Sequence, residues 1–220
     1  MIVLDYSKLK ELHRLKRDNY TDEFSIRIHR SLSWIGRAEK KDEDIDARFI
    51  FYWIAFNSAY SAIQTSQYFD TERRIYKDFF EKILKYDKNE YVYNAIWKQF
   101  SGSVRSLLNN QYIFGSFWNF QNGHEGFDDW EVKFNESKSI ALKALQNKNT
   151  LMILEILFDR LYTLRNQILH GGATWNSKVN RSQVQDGQAI IGFLVPNFLQ
   201  IMMYNQNEKW GKLVFPVVET

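Results

Sequence analysis

Apolar residues recur along two long stretches of this chain at steps of three and four, a period that permits little besides helices. Ile45, Phe49, Tyr52, Phe56, Ala59 and Ile63 draw one stripe. Leu154, Leu157, Leu161, Leu164 and Ile168 draw a second, with the spacing of a bundle seam. A helix over residues 44–67 is roughly 36 Å long and one over residues 149–170 roughly 33 Å. Two seams of nearly equal length predict the centre of an antiparallel bundle. Only two prolines and ten glycines punctuate 220 residues, which favours long elements over many short strands.

The same period predicts the other helices. A short one covers Ser7 to Asp18. The next covers Glu23 to Lys40, with Phe24, Ile28, Leu32 and Ile35 on one face. Asp42, Glu43, Asp44 and Asp46 place negative charge at the start of the 44–67 helix, where the helix dipole favours it. Three more helices are expected, over Thr71 to Tyr86, Tyr91 to Leu108 and Trp130 to Leu145. The last covers Arg181 to Tyr204, where Pro196 is expected to kink or interrupt it. Between Tyr112 and Phe127 lies an aromatic, glycine-containing loop in which Phe114, Phe117, Trp118 and Phe120 crowd together. Such a loop either plugs a core or offers a surface on which bases stack. The tail, Asn205 to Thr220, is compatible with an extended course. The expected fold is all-α: a single helical domain over residues 1–220, with core helices at 44–67, 149–170 and 181–204 and additional helices inserted over 71–146.

Composition narrows the function classes. The charged fraction is 25%, typical of a folded chain and not of a disordered one. A net charge of +3 permits an anionic partner without demanding one. Cysteine is absent, which excludes disulfides, thiolate metal sites and a cysteine nucleophile. No H-E-x-x-H pair and no phosphate-binding glycine loop of the P-loop type occurs, so metal-centred and nucleotide-hydrolysing chemistry has no motif behind it, and no cofactor is expected. The charged N-terminus lacks the apolar region of a signal peptide. The longest apolar run, Phe49 to Phe56, is far short of the ~20 residues that span a bilayer. A soluble, cytoplasmic protein with no membrane partner is the expectation.

One short run carries chemistry. Arg165-Asn166-Gln167-Ile168-Leu169-His170 ends the second seam helix, and Gly171-Gly172 stops it. Each residue turns a helix by about 100°, so His170 faces nearly opposite the apolar seam and shares a face with Asn166. Arg165 lies about 140° around the helix from His170. One helix therefore does not set the cation beside the imidazole. Convergence on one phosphate needs a reaching arginine, a distorted helix end, or a second subunit. The plainer alternative is that His170 completes a helix C-terminus, where an imidazolium is favoured, while Arg165 pairs with a carboxylate.

The run Arg165-Asn166-x-x-x-His170 resembles the signature of HEPN domains (higher eukaryotes and prokaryotes nucleotide-binding): arginine, four to six residues, histidine, often with a polar residue directly after the arginine. The segment from Asp46 to Tyr60 is similar to the first long helix of the ApeA-like HEPN branch, with Trp53, Ala55, Phe56 and Asn57 matching its aromatic, Ala, Phe, Asn pattern. The resemblance implies an all-α bundle of HEPN type that dimerises and brings two signature motifs into one cleft. It implies a metal-independent endoribonuclease, with toxin–antitoxin, phage-defence or RNA-processing roles; other members have lost catalysis. On that reading the partners are RNA, a second copy of the chain, and in toxin systems an inhibitor protein. His170 would act as general base or acid. Arg165 would hold the phosphate and stabilise its transition-state charge. Asn166 would orient His170 or donate to a phosphate oxygen. Asn57 would support the site from the facing helix, or be an amide that pairs helices.

Two basic groups offer a path for RNA, although solvated helix faces explain each as well. Arg27, His29, Arg30, Arg37, Lys40 and Lys41 form the first. Arg73, Arg74 and Lys77, followed by Lys82 and Lys85, form the second, partly offset by Glu72, Asp78 and Glu81. Three functions remain open: the ribonuclease, a non-catalytic HEPN module binding RNA, nucleotide or protein, and a helical protein in which the motif only finishes a helix.

Overall fold

Four helices in this chain start where a side chain takes up a free backbone N–H. The computed structural model describes residues 4–40, 44–60 and 72–218, without the side chains of residues 72–75. Asp5 accepts from the Lys8 amide at 2.9 Å and Thr21 from that of Phe24 at 3.3 Å. Asp44 accepts from Ala47 at 3.0 Å and Asn149 from Met152 at 3.1 Å. Each satisfies one of the orphan donors at a helix start. The chain is all-α, and no strand occurs among the described residues.

Its contacts divide it into two units: Met1–Val92 with Ile191–Thr220, and Tyr93–Ile190. The first holds α1 (Tyr6–Lys16), a short 3₁₀ turn, α2 (Asp22–Glu39), α3 (Ile45–Tyr60) and α4 (Glu72–Tyr86). α5 (Tyr91–Asn94) crosses the division. The second holds a π-helical turn at Ala95–Gln99, then α6 (Ser101–Leu108), α7 (Gly115–Gln121), α8 (Trp130–Gln146) and α9 (Thr150–Leu169). α10 (Arg181–Tyr204) begins in the second unit and ends in the first.

The first unit is centred on α2 and α3. Phe24, Ile28, Leu32 and Ile35 are all buried, as their spacing predicts. On α3, Phe49, Tyr52, Phe56 and Ala59 are buried too; Ile63 and the rest of the expected helix to residue 67 lie outside the described residues. Phe56 stacks on Phe80 at 6.1 Å and meets Phe79 edge-on at 5.9 Å, an aromatic core that α4 and α10 complete. Polar clamps set the pairing of α2 with α3. Ser31 donates to the Ala55 carbonyl at 2.7 Å, and the buried Arg27 donates to that of Ala59 at 2.9 Å. Burial pushes the Arg27 guanidinium down to about 10, against the pull of Glu23.

Two expectations need correction, and of the two effects expected of Pro196 the interruption does not occur: α10 continues through it to Tyr204. The next residue, Asn197, donates its side-chain amide to the Phe193 carbonyl at 2.7 Å. The expected helix from Tyr91 to Leu108 is broken. Its middle is a π turn closed by the Phe100 amide on the Ala95 carbonyl, and Phe100 itself leaves helical geometry at φ −113°. The Tyr112–Phe127 segment is not simply a loop, because it contains a 3₁₀ turn and α7. By length and composition α10 could cross a membrane, but 67% of that stretch is buried inside the protein.

His13 is a buried titratable group in the first unit. Its ring lies 5.9 Å from that of Tyr20. Burial holds its pKa below 6.5, with His29 and Arg17 adding to the effect. The folded state therefore favours neutral imidazole, and the unfolded chain takes up the proton first as pH falls. The resulting loss of stability begins near the ordinary histidine value and grows toward the lowered one. Between about pH 7 and pH 5 the melting temperature should fall more steeply for the wild type than for His13→Phe. Parallel curves would show that His13 does not contribute.

Candidate functional site

α9 buries the seam that the sequence predicts, with Leu154, Leu157, Leu161 and Leu164 all inside. It ends in a regular C-cap. His170 occupies the cap position at φ −96° and Gly171 follows at φ +72°. The Gly172 amide reaches back to the Gln167 carbonyl at 2.7 Å, and that of Gly171 to Ile168 at 3.4 Å. These two bonds form a Schellman ending, which needs a residue in the left-handed region directly after the cap. Gly172 also sits close to the helix, since a Cβ there would lie 3.0 Å from the Gln167 carbonyl oxygen. The pair of glycines thus ends the helix in an ordinary way and does not distort it.

The motif residues separate into a pair and a single group. Arg165 is half-buried and donates through Nη1 to the Asn166 side-chain oxygen at 2.7 Å. Its guanidinium also lies 4.8 Å from the centre of the Tyr162 ring, one turn back. Arginine only donates, so Asn166 must turn its oxygen toward Arg165 and its NH₂ group away. Among the described residues that NH₂ group meets no acceptor. His170 is exposed, and no described side chain hydrogen-bonds to its imidazole. Asn166 therefore engages the arginine and does not orient the histidine. Of its two expected roles, donation to a phosphate oxygen is the one left available.

The segment after His170 is anchored by Gln167, a residue the motif reading passed over. Gln167 accepts from the Asn180 amide at 3.0 Å and donates to the Tyr112 carbonyl. Trp118 donates to the same carbonyl at 2.7 Å. The aromatic segment thus reaches the motif end of α9 through Gln167. Phe114 and Phe117 are buried with Phe134, which agrees with a plug, while Tyr112, Trp118 and Phe120 remain 37–50% exposed. Leu169, Trp175 and Val179 are also exposed, all within ten residues of His170 in sequence.

Arg160 is a second residue missed by reading the motif alone. It is fully buried. Nη2 donates to the α8 hydroxyl of Ser137 at 2.8 Å and Nη1 to Asp159 at 3.3 Å. Its guanidinium lies 4.5 Å from the Phe114 ring and 5.7 Å from Phe134. The sequence signal was its spacing, because Arg160 is three residues after Leu157 and four before Leu164, on the seam itself.

The other candidate residues belong to the first unit. Asn57, on α3, is half-buried, and its side-chain oxygen is buried with no hydrogen-bond partner among the described residues. Lys77 is exposed and lies 3.9 Å from Glu81, a surface pair of little energetic weight. The Arg73 and Arg74 side chains, and Lys41, lie outside the described residues. Several of the remaining cations are structural. Arg27 binds the Gly211 carbonyl at 2.8 Å, Arg30 that of Phe215 at 2.6 Å, and Lys82 that of Lys209 at 2.5 Å. Lys85 pairs with Glu208 at 3.6 Å. These residues hold down the C-terminal tail, where Trp210 and Leu213 are buried, so their charges are already engaged.

No cluster of three or more histidine, aspartate or glutamate side chains that could hold a metal occurs among the described residues. No protein-family model matches the chain, and neither the curated proteins nor the solved structures yield a match.

Proposed function

We propose that the chain is a metal-independent endoribonuclease of the HEPN type, acting in the cytoplasm as a homodimer in a toxin or phage-defence role. One observation supports this reading most. At the end of α9, a guanidinium and an outward-turned amide lie side by side, and an exposed, unpaired imidazole follows at the helix cap. The first two are a phosphate clamp. The third is an imidazole that can take or give a proton.

In the proposed reaction the RNA 2′-hydroxyl attacks the adjacent phosphorus. The bond from phosphorus to the 5′-oxygen breaks, leaving a 2′,3′-cyclic phosphate and a 5′-hydroxyl. His170 takes the proton from the 2′-oxygen or delivers one to the departing 5′-oxygen. Arg165 and the Asn166 NH₂ group stabilise charge on the non-bridging oxygens. A second copy of the chain supplies the other half of the site. The exposed Leu169, Trp175 and Val179 support this, since apolar side chains around a polar group favour a partner surface.

The Arg165–Asn166 bond also favours the second reading, a non-catalytic HEPN module that binds RNA or a partner, because an arginine already satisfied within its own helix can be structural. Incubation with total RNA in excess EDTA separates the two. The nuclease gives fragments ending in cyclic phosphate, and the binding module gives shifted but intact RNA.

A further inference from the structure

We infer that the first unit carries a separate binding cleft for the phosphodiester backbone of a single-stranded nucleic acid, set between α1 and α2. The cleft has a volume of about 650 Å³. α1 contributes Lys10 and Arg14, at i and i+4, and Arg17 follows three residues on, at the start of the 3₁₀ turn after α1. α2 contributes His29 and Arg37, and Lys40 stands at its C-cap; at i, i+8 and i+11 they lie on one side of the helix. Among the described residues no carboxylate lines it. Glu39, close by in sequence, is turned to the Tyr6 backbone amide at 2.8 Å. Arg17 is 3.8 Å from the exposed Asp18, a pair that water screens.

Two further features shape the cleft wall. His13 lies in it, only 7% exposed. Gly36 lets the Tyr6 ring lie directly on α2, because a Cβ there would meet Tyr6 ring carbons at 2.9 Å. Lys10 then donates to the Tyr6 hydroxyl at 2.7 Å, and Arg37 rests 5.4 Å from the Phe51 ring. Two of the cations are therefore held in place, and Arg14, Arg17 and Lys40 stand exposed between solvent and the cleft.

The extent of the cation row selects the ligand. His29 to Lys40 spans about 16 Å of helix, too long for one phosphate and suited to several along a strand. Tyr6 and Trp34 line the same cleft and give bases an aromatic surface. A membrane is planar and cannot reach side chains inside a groove. The site is independent of Arg165 and His170 and does not require catalysis.

A fluorescein-labelled DNA strand of about 15 nucleotides tests this apart from any cleavage, because DNA lacks the 2′-hydroxyl. The protein should bind it, and inorganic phosphate at constant ionic strength should not displace it. The triple variant Arg14→Ala, Arg17→Ala, Lys40→Ala should bind at least tenfold more weakly. Its salt slope should fall by about 2, for three lost phosphate contacts at roughly 0.7 each. The charge-matched variant Lys88→Ala, Lys98→Ala, Lys143→Ala should stay within about twofold. Equal losses in the two triple variants, displacement by inorganic phosphate, or binding only to phosphatidylserine vesicles would each overturn the inference.

Discussion

His170→Ala should lower RNA cleavage by about 10²–10⁴-fold, the range that a positioned proton carrier supplies. Arg165→Ala should cost about 10²–10³-fold through lost charge stabilisation. Arg165→Lys should rescue little, because an ammonium cannot both hold the Asn166 oxygen and grip a phosphate through a planar fork. His170 is exposed and, for the fold, only occupies the C-cap of α9, so His170→Ala should leave the circular dichroism spectrum and melting temperature near those of the wild type. Cleavage by the wild type and by His170→Ala at the same rate would remove this residue from the chemistry. If both alanine variants match the wild type in every binding and cleavage assay, the motif only finishes a helix.

The largest expected effect on stability lies at Arg160. Arg160→Ala removes a buried cation, its bond to Ser137 and its contacts with Phe114 and Phe134, and leaves a void in the core of the second unit. The expected loss is about 3–5 kcal/mol. For a chain of this size that is a fall in melting temperature of roughly 10 °C. Arg160→Met should lose much less, because it keeps most of the volume and adds no unpaired charge. An Arg160→Ala variant within about 1 kcal/mol of wild type would mean the guanidinium is not an anchor.

Most of the helices were legible because their apolar period is long and regular. The α2 and α9 faces are the clearest cases: every residue of the predicted α2 face is buried, and on α9 all but Ile168, which is half-buried near the helix end. The aromatic segment was harder to read because α7 has only seven residues, too few for a period to register. Polar residues placed in an apolar register were not singled out as core. Arg160 sits between Leu157 and Leu164, His13 is four residues after Leu9, and Arg27 is three after Phe24; all three are buried. In each the spacing was a better guide than the charge. Three cations of the two basic groups were misjudged for a different reason. Sequence shows that Arg27, Arg30 and Lys82 are cationic but not that backbone carbonyls of the C-terminal tail already occupy them.

The candidate site was legible as a list of residues but not as an arrangement. Helical geometry set Arg165 and His170 on different bearings of α9, and the regular Schellman ending means that the glycines do not bend them together. What the sequence did not reveal is that Asn166 belongs to the arginine and not to the histidine.

The central claim is that two copies of the chain complete one another's site, and mixing two inactive variants tests it most directly. Arg165→Ala and His170→Ala proteins, each inactive alone, would be unfolded together, refolded and assayed on RNA. A heterodimer of the two keeps one intact pairing of an arginine from one copy with a histidine from the other. With random pairing, about a quarter of wild-type activity should return. An inactive mixture of well-folded heterodimers would contradict the shared site.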